Sequence, residues 1–479
     1  MEKFDFVVIG SGPAGQKAAI CAAKAGKKVL VVERERSVGG ACVHHGTIPS
    51  KTLRETVVAM RNLARRGGSN AATLEEGTEV APLMSRLQDV VREHEDYIEA
   101  QLRRNNVHMA RGHARFIGTN KVEIRSPGKG FTESRFVLAD FVILAVGSRP
   151  RAPKGVPVDH ENILDSDSIL SLTYLPRSLA VLGGGVVASE YASIFAALGV
   201  KVTVIDTNPR PMAFLDSDLT TAYLTQLTSF GSTYRGGCKI KEVTHDGLGT
   251  CEVHLEDGTS IQADKVLSAL GRVANVEGLG LETVGITLTA RGLVAVDEHC
   301  RTNVHHVYAV GDVGGPPSLA SSAMEQGRRA VRHALGETIV QGSKASASDL
   351  PFCAYTIPEI ASIGLSESEA IAKYGSAIVG RAPYAELARA HIAAMDAGMI
   401  KVIADPSGQR ILGVQIVGEN ASELVHVGQM AILAGFEVDV LVEATFNFPT
   451  LAEGYRVAAL DVVKQRGDVA STTIAAAAE

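Results

Sequence analysis

The pattern of hydrophobic and polar positions begins with an apolar run that is typical of a buried strand. Residues 4–9 read FDFVVI, and a glycine-rich turn and an alanine-rich segment follow them. A second apolar run ends at Glu33. Short apolar runs bounded by glycines predict strands, whereas the longer alanine-rich segment, which Gly26 ends, predicts a helix. This part of the chain is therefore predicted to fold as strand, turn, helix and strand.

The same unit recurs later in the chain. Residues 183–188 read GGGVVA after another predicted strand, and a predicted helix and strand then lead to Asp206. The distance from Gly10 to Glu33 equals the distance from Gly183 to Asp206, 23 positions in each case. The sequence therefore predicts two copies of one βαβ unit.

Each glycine turn lies between a predicted strand and a predicted helix, and in that context the motif predicts a dinucleotide site. Glycines let the backbone approach a pyrophosphate, and a carboxylate at the next strand end accepts hydrogen bonds from ribose hydroxyls. The alternative is two ordinary tight turns in an α/β protein. Two such sites indicate a bound flavin and an exchanging nicotinamide nucleotide. The predicted binding positions are Gly10, Gly12, Gly15 and Glu33 in the first unit and Gly183, Gly185, Ala188 and Asp206 in the second.

Three further strands are predicted to end at a glycine, at Gly147, Gly271 and Gly311. Asp312 follows the last of them, at the end of a strand where α/β sheets bind ligands. Its alternative interpretation is a turn or helix-capping aspartate. We therefore add these positions to the candidate cofactor site.

Composition and charge narrow the class of protein. A chain of 479 residues is too long for one core and indicates about three domains. A net charge of −6 without a basic block argues against nucleic acid and anionic membranes as partners. No apolar run approaches the roughly 20 residues that span a bilayer, and no signal peptide is recognisable, which predicts a cytoplasmic location. The six cysteines form no CxxC pair and are predicted to be free thiols.

Together these residues resemble the disulfide oxidoreductase-like flavoproteins, from Phe4 to about Lys464. The resemblance implies that Glu33 and the first glycine motif hold the adenosine of FAD. It also implies that Asp312 reaches the sugar–phosphate chain of FAD and that Lys51 lies beside the flavin ring. The remaining cofactor-binding positions that we predict are Gly40, Cys42, Gly147, Gly271 and Gly311.

Two departures from this family's pattern are informative. Redox-active members carry GGxCxxxGCxPSK, whereas residues 39–51 read GGACVHHGTIPSK here, with Thr47 in place of the second cysteine. One thiol cannot form an internal disulfide, and a hydroxyl cannot carry electrons. Dihydrolipoamide dehydrogenases also have an HxHPTxxE segment, whereas residues 446–453 read FNFPTLAE, and Phe448 cannot transfer protons. Both departures are similar to the soluble pyridine nucleotide transhydrogenases.

The resemblance implies hydride exchange between NADPH and NAD+ through bound FAD, with NAD(H) and NADP(H) as exchanging substrates. Lys51 is expected to stabilise negative charge on the reduced flavin. Glu190 resembles the family's glutamate near the nicotinamide, and an ordinary acid in a first helical turn is the alternative. Glu453 is expected to reach the site from a partner subunit, and a helix-start acid is the alternative. These three residues are the predicted catalytic group.

The second unit and the cysteine leave further alternatives open. Asp206 favours a free ribose 2′-hydroxyl, while Arg210 is either a ligand of a 2′-phosphate or an exposed loop cation. Cys42 is interpreted as a thiol without a redox role because its partner is absent. His44 and His45 lack a third ligand, so no metal site is predicted. Other functions that remain open are an NAD(P)H oxidase or diaphorase and an FAD-binding redox sensor with little turnover.

The predicted fold class is α/β, with two Rossmann-like dinucleotide-binding domains and a C-terminal α+β dimerisation domain. We expect a homodimer or a higher homo-oligomer, a loose tail at residues 471–479, and a core position for His426 on an apolar helix. The predicted domains are the FAD-binding domain (1–150, with a helical insertion at 50–110, and 279–347), the NAD(P)-binding domain (151–278) and the dimerisation domain (348–479).

Overall fold

A computed structural model describes residues 1–66, 81–127, 132–337, 350–395 and 397–478. The helices are α1 (Pro13–Lys24), α2 (Gly40–His44), α3 (Thr47–Arg66), α4 (Ala81–Arg104), α5 (Val186–Ala197), α6 (Ser217–Ser229), α7 (Ala320–Ala334), α8 (Glu367–Tyr374), α9 (Ala388–Ala393), α10 (Ala421–Leu433), α11 (Val438–Glu443) and α12 (Glu453–Ala478).

The strands are β1 (Glu2–Ile9), β2 (Val29–Glu33), β3 (His108–Arg111), β4 (His113–Gly118), β5 (Lys121–Pro127), β6 (Thr132–Leu144), β7 (Ser148–Pro150), β8 (Ile163–Asp165), β9 (Ser178–Leu182), β10 (Lys201–Ile205), β11 (Thr233–Arg235), β12 (Ile240–His245), β13 (Cys251–Leu255), β14 (Ser260–Ala263), β15 (Lys265–Ser268), β16 (Arg272–Ala274), β17 (Val307–Ala309), β18 (Phe352–Ala354), β19 (Ile360–Gly364), β20 (Ile378–Pro383), β21 (Met399–Ala404) and β22 (Ile411–Val417).

The first sheet has the strand order β3-β2-β1-β6-β5-β4, and β17 also pairs with β6. Strand β1 runs parallel to both of its neighbours, β2 and β6. Its apolar run is buried on both faces: Phe6 and Val8 pack with α1 and α7, and Val7 and Ile9 pack on the opposite side. A continuous apolar run is the pattern that a parallel strand covered on both faces requires.

The second sheet is parallel, in the order β11-β10-β9-β15-β8. Helix α5 follows β9 directly and is buried along nearly its whole length. It belongs to one apolar cluster with Leu53 and Val57 of α3, to which it contributes Tyr191 and Phe195. The helix after the second glycine loop is therefore packed against the helix that carries Lys51.

The C-terminal part is an antiparallel sheet in the order β18-β19-β22-β21-β20. Helices α10 and α12 supply Val425, Tyr455 and Ala458 to the apolar cluster of this sheet. Helix α12 continues through the predicted loose tail as far as Ala478, and the looseness of that tail stays a prediction. Its alanine-rich sequence has high helix propensity, and residues 471–478 contain no proline or glycine to end the helix.

Two sequence expectations lie outside the described residues: the loop at 67–77 and the boundary between 347 and 348. The predicted helical insertion is present on either side of that loop as α3 and α4. Across the described ranges, no helix combines the length and the hydropathy needed to cross a bilayer.

Candidate functional site

The first glycine loop is packed so closely that two of its residues must lack a side chain. A Cβ atom on Gly15 would lie 2.0 Å from the carbonyl oxygen of Gly10, and one on Gly10 would lie 2.4 Å from that of Ala145. Gly10 also has a φ of +103°, which residues with a Cβ rarely adopt. At Gly12 a Cβ would meet only the Gly39 oxygen, at 4.0 Å. The loop is therefore tight towards the protein and open at Gly12.

Glu33 lies at the end of β2, directly beside this loop. Its side chain is 8% exposed, and its Oε2 accepts hydrogen bonds from the backbone N–H of Ser11 at 2.9 Å and from the Ser11 hydroxyl at 2.5 Å. Its Oε1 accepts from the backbone N–H of Glu35 at 3.0 Å. A buried carboxylate fixed in this way provides a defined acceptor for ribose hydroxyls at the edge of the sheet.

Segments from distant parts of the chain come together around the loop. The Ser148 hydroxyl donates to Oδ2 of Asp312 at 2.6 Å, and the backbone N–H of Gly311 donates to Gln326 at 2.7 Å. A Cβ on Gly40, whose φ is +61°, would lie 3.0 Å from the Cα of Gly12. Parallel pairing of β6 with β1 and with β17 brings the ends of these three strands to the same edge of the sheet.

A cavity of about 1260 Å³ lies above this edge of the sheet. Ligand pockets of roughly 300–1,000 Å³ suffice for drug-sized molecules, so this one has room for a much larger ligand. With a glycine loop opened towards it and a buried carboxylate at one end, the cavity fits an FAD molecule. Of the predicted positions, those that line it are Gly10, Gly12, Glu33, Gly40, Cys42, Lys51, Gly147, Glu190, Gly311 and Asp312. Gly15 lies beneath the loop, where it serves packing.

Lys51 and Glu190 form an ion pair in the wall of the cavity. The Lys51 Nζ lies 2.6 Å from Oε2 of Glu190, whose side chain is buried. The other carboxylate oxygen accepts a hydrogen bond from the backbone N–H of Tyr355 at 2.8 Å. The Lys51 ammonium also lies 5.0 Å from the centre of the Tyr355 ring. The alternative of an ordinary first-turn acid does not hold, because Glu190 is buried and paired and α5 has no acidic residue in its first turn, although the catalytic role of Glu190 stays a prediction.

Cys42 lines the same cavity without a sulfur partner. Burial raises the pKa of the Cys42 thiol, and a hydrogen bond with Thr47 and the charge of Lys51 oppose that rise only in part. The structure describes all six cysteines of the chain, and each is a free thiol, as predicted. The Cys42 thiol is therefore protonated at neutral pH, and a hydroxyl takes the place of the second sulfur.

The second glycine loop is tight at its first glycine and open at its second, as the first loop is. Gly183 has a φ of +105° and a Cβ on it would lie 2.8 Å from the Ala269 oxygen, but one on Gly185 would meet no described atom within 4 Å. Ala188 is fully buried, so it packs under the loop rather than facing a ligand. The predicted ligand face of this unit is therefore the part around Gly185.

The carboxylate of Asp206 lies over this second loop. A Cβ on Gly184 would be 2.3 Å from its Oδ2, and the Tyr234 hydroxyl donates to the same oxygen at 3.2 Å. Arg210 is half-buried rather than an exposed cation: it donates to the Thr220 hydroxyl at 3.0 Å and to the Ala213 carbonyl at 2.8 Å. Gly271, with a φ of +101°, follows β15. The roles of Asp206, Arg210 and Gly271 stay predictions.

The expectations for Glu453 and His426, both in the C-terminal part of the chain, have different outcomes. Glu453 accepts a hydrogen bond from the backbone N–H of Thr450 at 3.2 Å, which is the helix-start alternative, and its contribution to a partner's site stays a prediction. The core position expected for His426 is wrong: the side chain is exposed and lines the cavity, with its Nδ1 2.8 Å from Gln429. The apolar character of α10 misled because His426 faces away from the sheet.

Sequence reasoning missed three residues that shape the site. Ser11 and Ser148 hold the two carboxylates of the first unit, and Tyr355 holds Glu190. The serines adjoin glycines in the two motifs, so their positions carried a signal. The contact of Tyr355 is made by its backbone N–H, so the type of side chain at this position does not indicate it.

Comparison with known proteins agrees with this geometry. Residues 4–327 match the family model described as pyridine nucleotide-disulphide oxidoreductase, and residues 350–459 match the model of that family's dimerisation domain. The chain belongs to the pyridine nucleotide-disulphide oxidoreductase family. Membership in this family confirms the predicted α/β fold class and the predicted cofactor class, FAD with nicotinamide nucleotides.

Relatives extend over almost the whole chain. Proteins named soluble pyridine nucleotide transhydrogenase are 41% identical, one from Mycobacterium bovis over 97% of this chain and 98% of its own and one from Yersinia pestis over 96% and 97%. Among solved structures, LpdA from Mycobacterium tuberculosis has a TM-score of 0.86 at 29% identity and covers 96% of this chain and 99% of its own. A copper complex of the HOCl-induced flavoprotein disulfide reductase RclA from Escherichia coli has a TM-score of 0.85 at 25% identity, over 96% and 99%.

Proposed function

We propose that this chain is an FAD-dependent NAD(P)+ transhydrogenase that transfers hydride between NADPH and NAD+. The observation that supports this proposal is a cavity suited to a flavin, with the Lys51–Glu190 ion pair in its wall. Thr47 and Phe448 stand at the positions where thiol chemistry needs a cysteine and a histidine. Relatives at 41% identity over nearly the full length carry the name of this activity, which supports the same conclusion.

A flavin bound in the cavity would supply reversible two-electron chemistry, taking a hydride from one nicotinamide nucleotide and returning it to another. The protein has to hold and orient the reactants and to stabilise charge. Lys51 places an ammonium at the wall, and its 2.6 Å contact with Glu190 fixes where that charge lies. A preorganised charge of this kind lowers a barrier because it needs no rearrangement during the reaction.

We assign the binding residues in two groups. Around the first loop, Glu33 and Gly12 would hold the adenosine and pyrophosphate of FAD, and Asp312 with Gly40 would line its sugar–phosphate chain. Around the second loop, Gly185 would take the pyrophosphate of the nicotinamide nucleotide. These assignments rest on the open face of each loop and on the carboxylates beside it.

Both NAD(H) and NADP(H) must bind at the second loop. Asp206 is positioned to accept hydrogen bonds from a free ribose, which favours NAD(H). Arg210 would meet a 2′-phosphate only if it gave up its contacts with Thr220 and Ala213. We therefore expect NAD(H) to bind with the smaller rearrangement.

We also propose that the chain acts as a homodimer in the cytoplasm. The match to a dimerisation domain supports a dimer, and large apolar side chains exposed on the C-terminal part give it a surface to bury. They are Met430, Leu433, Phe436, Val440, Phe448 and Leu460. Phe448, which is 70% exposed, lies five residues before Glu453. A partner subunit that covers Phe448 would therefore bring Glu453 close to the cavity of that partner. Assembly beyond a dimer belongs to the same proposal.

The test is anaerobic exchange between NADPH and thio-NAD+, followed through the absorbance of reduced thio-NAD. We expect steady turnover within the usual enzymatic range, roughly 1–1000 per second. Parallel assays replace thio-NAD+ with oxygen, a quinone or a disulfide. Fast oxygen or quinone reduction without thio-NAD+ reduction would instead make the chain an oxidase or diaphorase. Flavin reduction slower than about once per minute would make it a sensor.

A further inference from the structure

Arg54 is the largest side chain among those fully buried in the described part of the chain, at 1% exposure. It lies on α3, three residues after Lys51. Its guanidinium contacts three carboxylates: Nη1 is 2.6 Å from Glu55 and 3.0 Å from Glu359, and Nη2 is 3.0 Å from Glu419. The mechanism above gives this charge no role, so its position needs an explanation.

The third nitrogen of the Arg54 guanidinium faces residues 355–357, and Tyr355 of this segment lines the cavity. The Arg54 Nε donates to the backbone carbonyl of Thr356 at 3.1 Å. The two neighbours of Thr356 donate in the opposite direction, to α5: the N–H of Tyr355 to Glu190 at 2.8 Å and the N–H of Ile357 to Ser193 at 3.0 Å. Three consecutive residues are thus fixed between the helix of Lys51 and the helix of Glu190.

These contacts close a ring. Starting at Lys51, it passes through Glu190 to the Tyr355–Thr356 backbone, then through the Arg54 guanidinium back to α3, which carries Lys51 itself. Every link is a hydrogen bond or an ion pair with at least one buried partner. Networks of this kind restrict geometry more strongly than separate contacts do, because each member limits the others.

The carboxylates around Arg54 anchor the ring to the C-terminal part. Glu359 also accepts from the N–H and hydroxyl of Ser422, at 3.1 and 2.9 Å, at the start of α10. Burial raises the pKa of Glu419, and the charge of Arg54 opposes that rise. Removing the guanidinium would leave the buried carboxylate of Glu359 and the half-buried carboxylate of Glu419 without a counter-charge, which is unfavourable.

We propose that Arg54 is a positioning residue for the Lys51–Glu190 pair. By holding Thr356 it keeps the N–H of Tyr355 on Glu190, and Glu190 in turn holds the Lys51 ammonium at the cavity. Its effect on catalysis rests on the proposed hydride-transfer function, whereas its effect on the geometry of the segment does not.

The chain contains a matched control. Lys401 is fully buried and contacts three carboxylates, with Nζ 2.8 Å from Asp216, 2.8 Å from Asp218 and 2.7 Å from Glu367. This cluster joins the second unit to the C-terminal sheet, as Arg54 joins α3 to it. No contact described for Lys401 involves residues 355–357.

The first readout is amide hydrogen exchange of Tyr355 and Ile357 in the purified protein without nicotinamide nucleotide. Arg54→Met should accelerate exchange of both amides by roughly tenfold or more, because the segment opens once Thr356 is released. Lys401→Met should leave both rates within about twofold while lowering the melting temperature to a similar extent. Unchanged amide rates in Arg54→Met, or an equal acceleration in Lys401→Met, would overturn the proposal.

The second readout separates positioning from general damage. We expect Arg54→Met to lower kcat for thio-NAD+ reduction by roughly tenfold with little change in KM, and Arg54→Lys, which keeps the charge, to recover part of the rate.

If Arg54→Met does not fold, Glu419→Gln weakens the same cluster and should give a smaller change of the same kind in both readouts. Absence of that change would also count against the role. If wild-type protein fails to reduce thio-NAD+, the proposed function fails, and the exchange experiment still decides the geometry.

Discussion

The two glycine loops share a sequence pattern and are both tight at the first glycine and open at the second, yet the protein packs differently against the third motif position. In the first loop, a Cβ on Gly15 would lie 2.0 Å from a backbone oxygen, and the neighbouring carboxylate of Glu33 is buried and held by Ser11. In the second loop, the third motif position is already an alanine, Ala188, so the backbone there leaves room for a Cβ, and the neighbouring carboxylate of Asp206 is half-exposed.

The comparison explains how one chain can keep one dinucleotide and exchange another. A ligand on the first loop is enclosed by segments from three parts of the chain, so leaving requires several contacts to break. The carboxylate of Asp206 beside the second loop is half-exposed, so on the proposed function we expect a nucleotide to enter and leave there without rearranging the sheet. On the proposed function, we therefore expect retention and exchange to depend on the surroundings of each loop rather than on its motif.

The largest expected effect comes from adding one carbon to the tight loop. Gly15→Ala should lower the free energy of unfolding by about 3 kcal/mol, because overpacking against a backbone oxygen cannot relax, and FAD should be lost. The contrasting variant, Gly185→Ala at the open position of the second loop, should keep FAD and stability but raise KM for NADPH. Thermal unfolding and flavin absorbance after gel filtration measure both. Equal FAD loss in the two variants would break the comparison.

Removal of the ammonium at the cavity should have the next largest effect. Lys51→Met should slow anaerobic flavin reduction by NADPH by roughly 100-fold with FAD still bound, because a preorganised charge is lost. Stopped-flow absorbance gives the rate. Lys3→Met, which removes an exposed lysine paired with Asp140, is the control and should be unchanged. A wild-type rate in Lys51→Met would mean that the flavin does not rely on this charge.

Asp206→Asn tests the open loop. Loss of the carboxylate should lower kcat/KM for NADH by roughly tenfold, since a charge-assisted hydrogen bond to ribose is weakened, and should spare NADPH. Steady-state kinetics with each nucleotide gives the ratio. Tyr234→Phe, which removes only the 3.2 Å hydrogen bond to Asp206, should shift the ratio in the same direction by less. Equal losses for NADH and NADPH would remove Asp206 from specificity.

The smallest effect is expected at Cys42. Its pKa is raised by burial, so the thiol is neutral at pH 7 and a poor nucleophile. Cys42→Ser should keep transhydrogenation within about twofold, since no disulfide partner exists. Reductive titration of the wild-type protein should take two electrons per flavin. Uptake of four electrons, or an inactive Cys42→Ser protein that still binds FAD, would contradict this interpretation.

The local parts of the fold could be predicted because their signals lie within a few residues. The first two strands end at Ile9 and Glu33, as predicted, since short apolar runs bounded by glycines determine them. The family, the fold class and the cofactor class were confirmed for a related reason: glycine loops and strand ends carry their chemistry in residue type.

The rest depended on contacts between distant residues. Lys51 and Glu190 are 139 positions apart, and Arg54 and Glu419 are 365 apart, so no local pattern indicates either pair. The expectation for His426 failed because an apolar helix does not show which of its faces meets the sheet. The role of Tyr355 could not be found from residue type, since its backbone makes the contact.

Strand β17 has a consequence for the order in which the molecule is built. It completes the sheet begun by β1, yet it is encoded after every strand of the second sheet. Residues 163–268 supply all the strands of that second sheet in one stretch, so during synthesis it can close while the earlier one still lacks an edge. The first sheet therefore cannot be completed until the ribosome has synthesised the chain as far as Ala309, the last residue of β17.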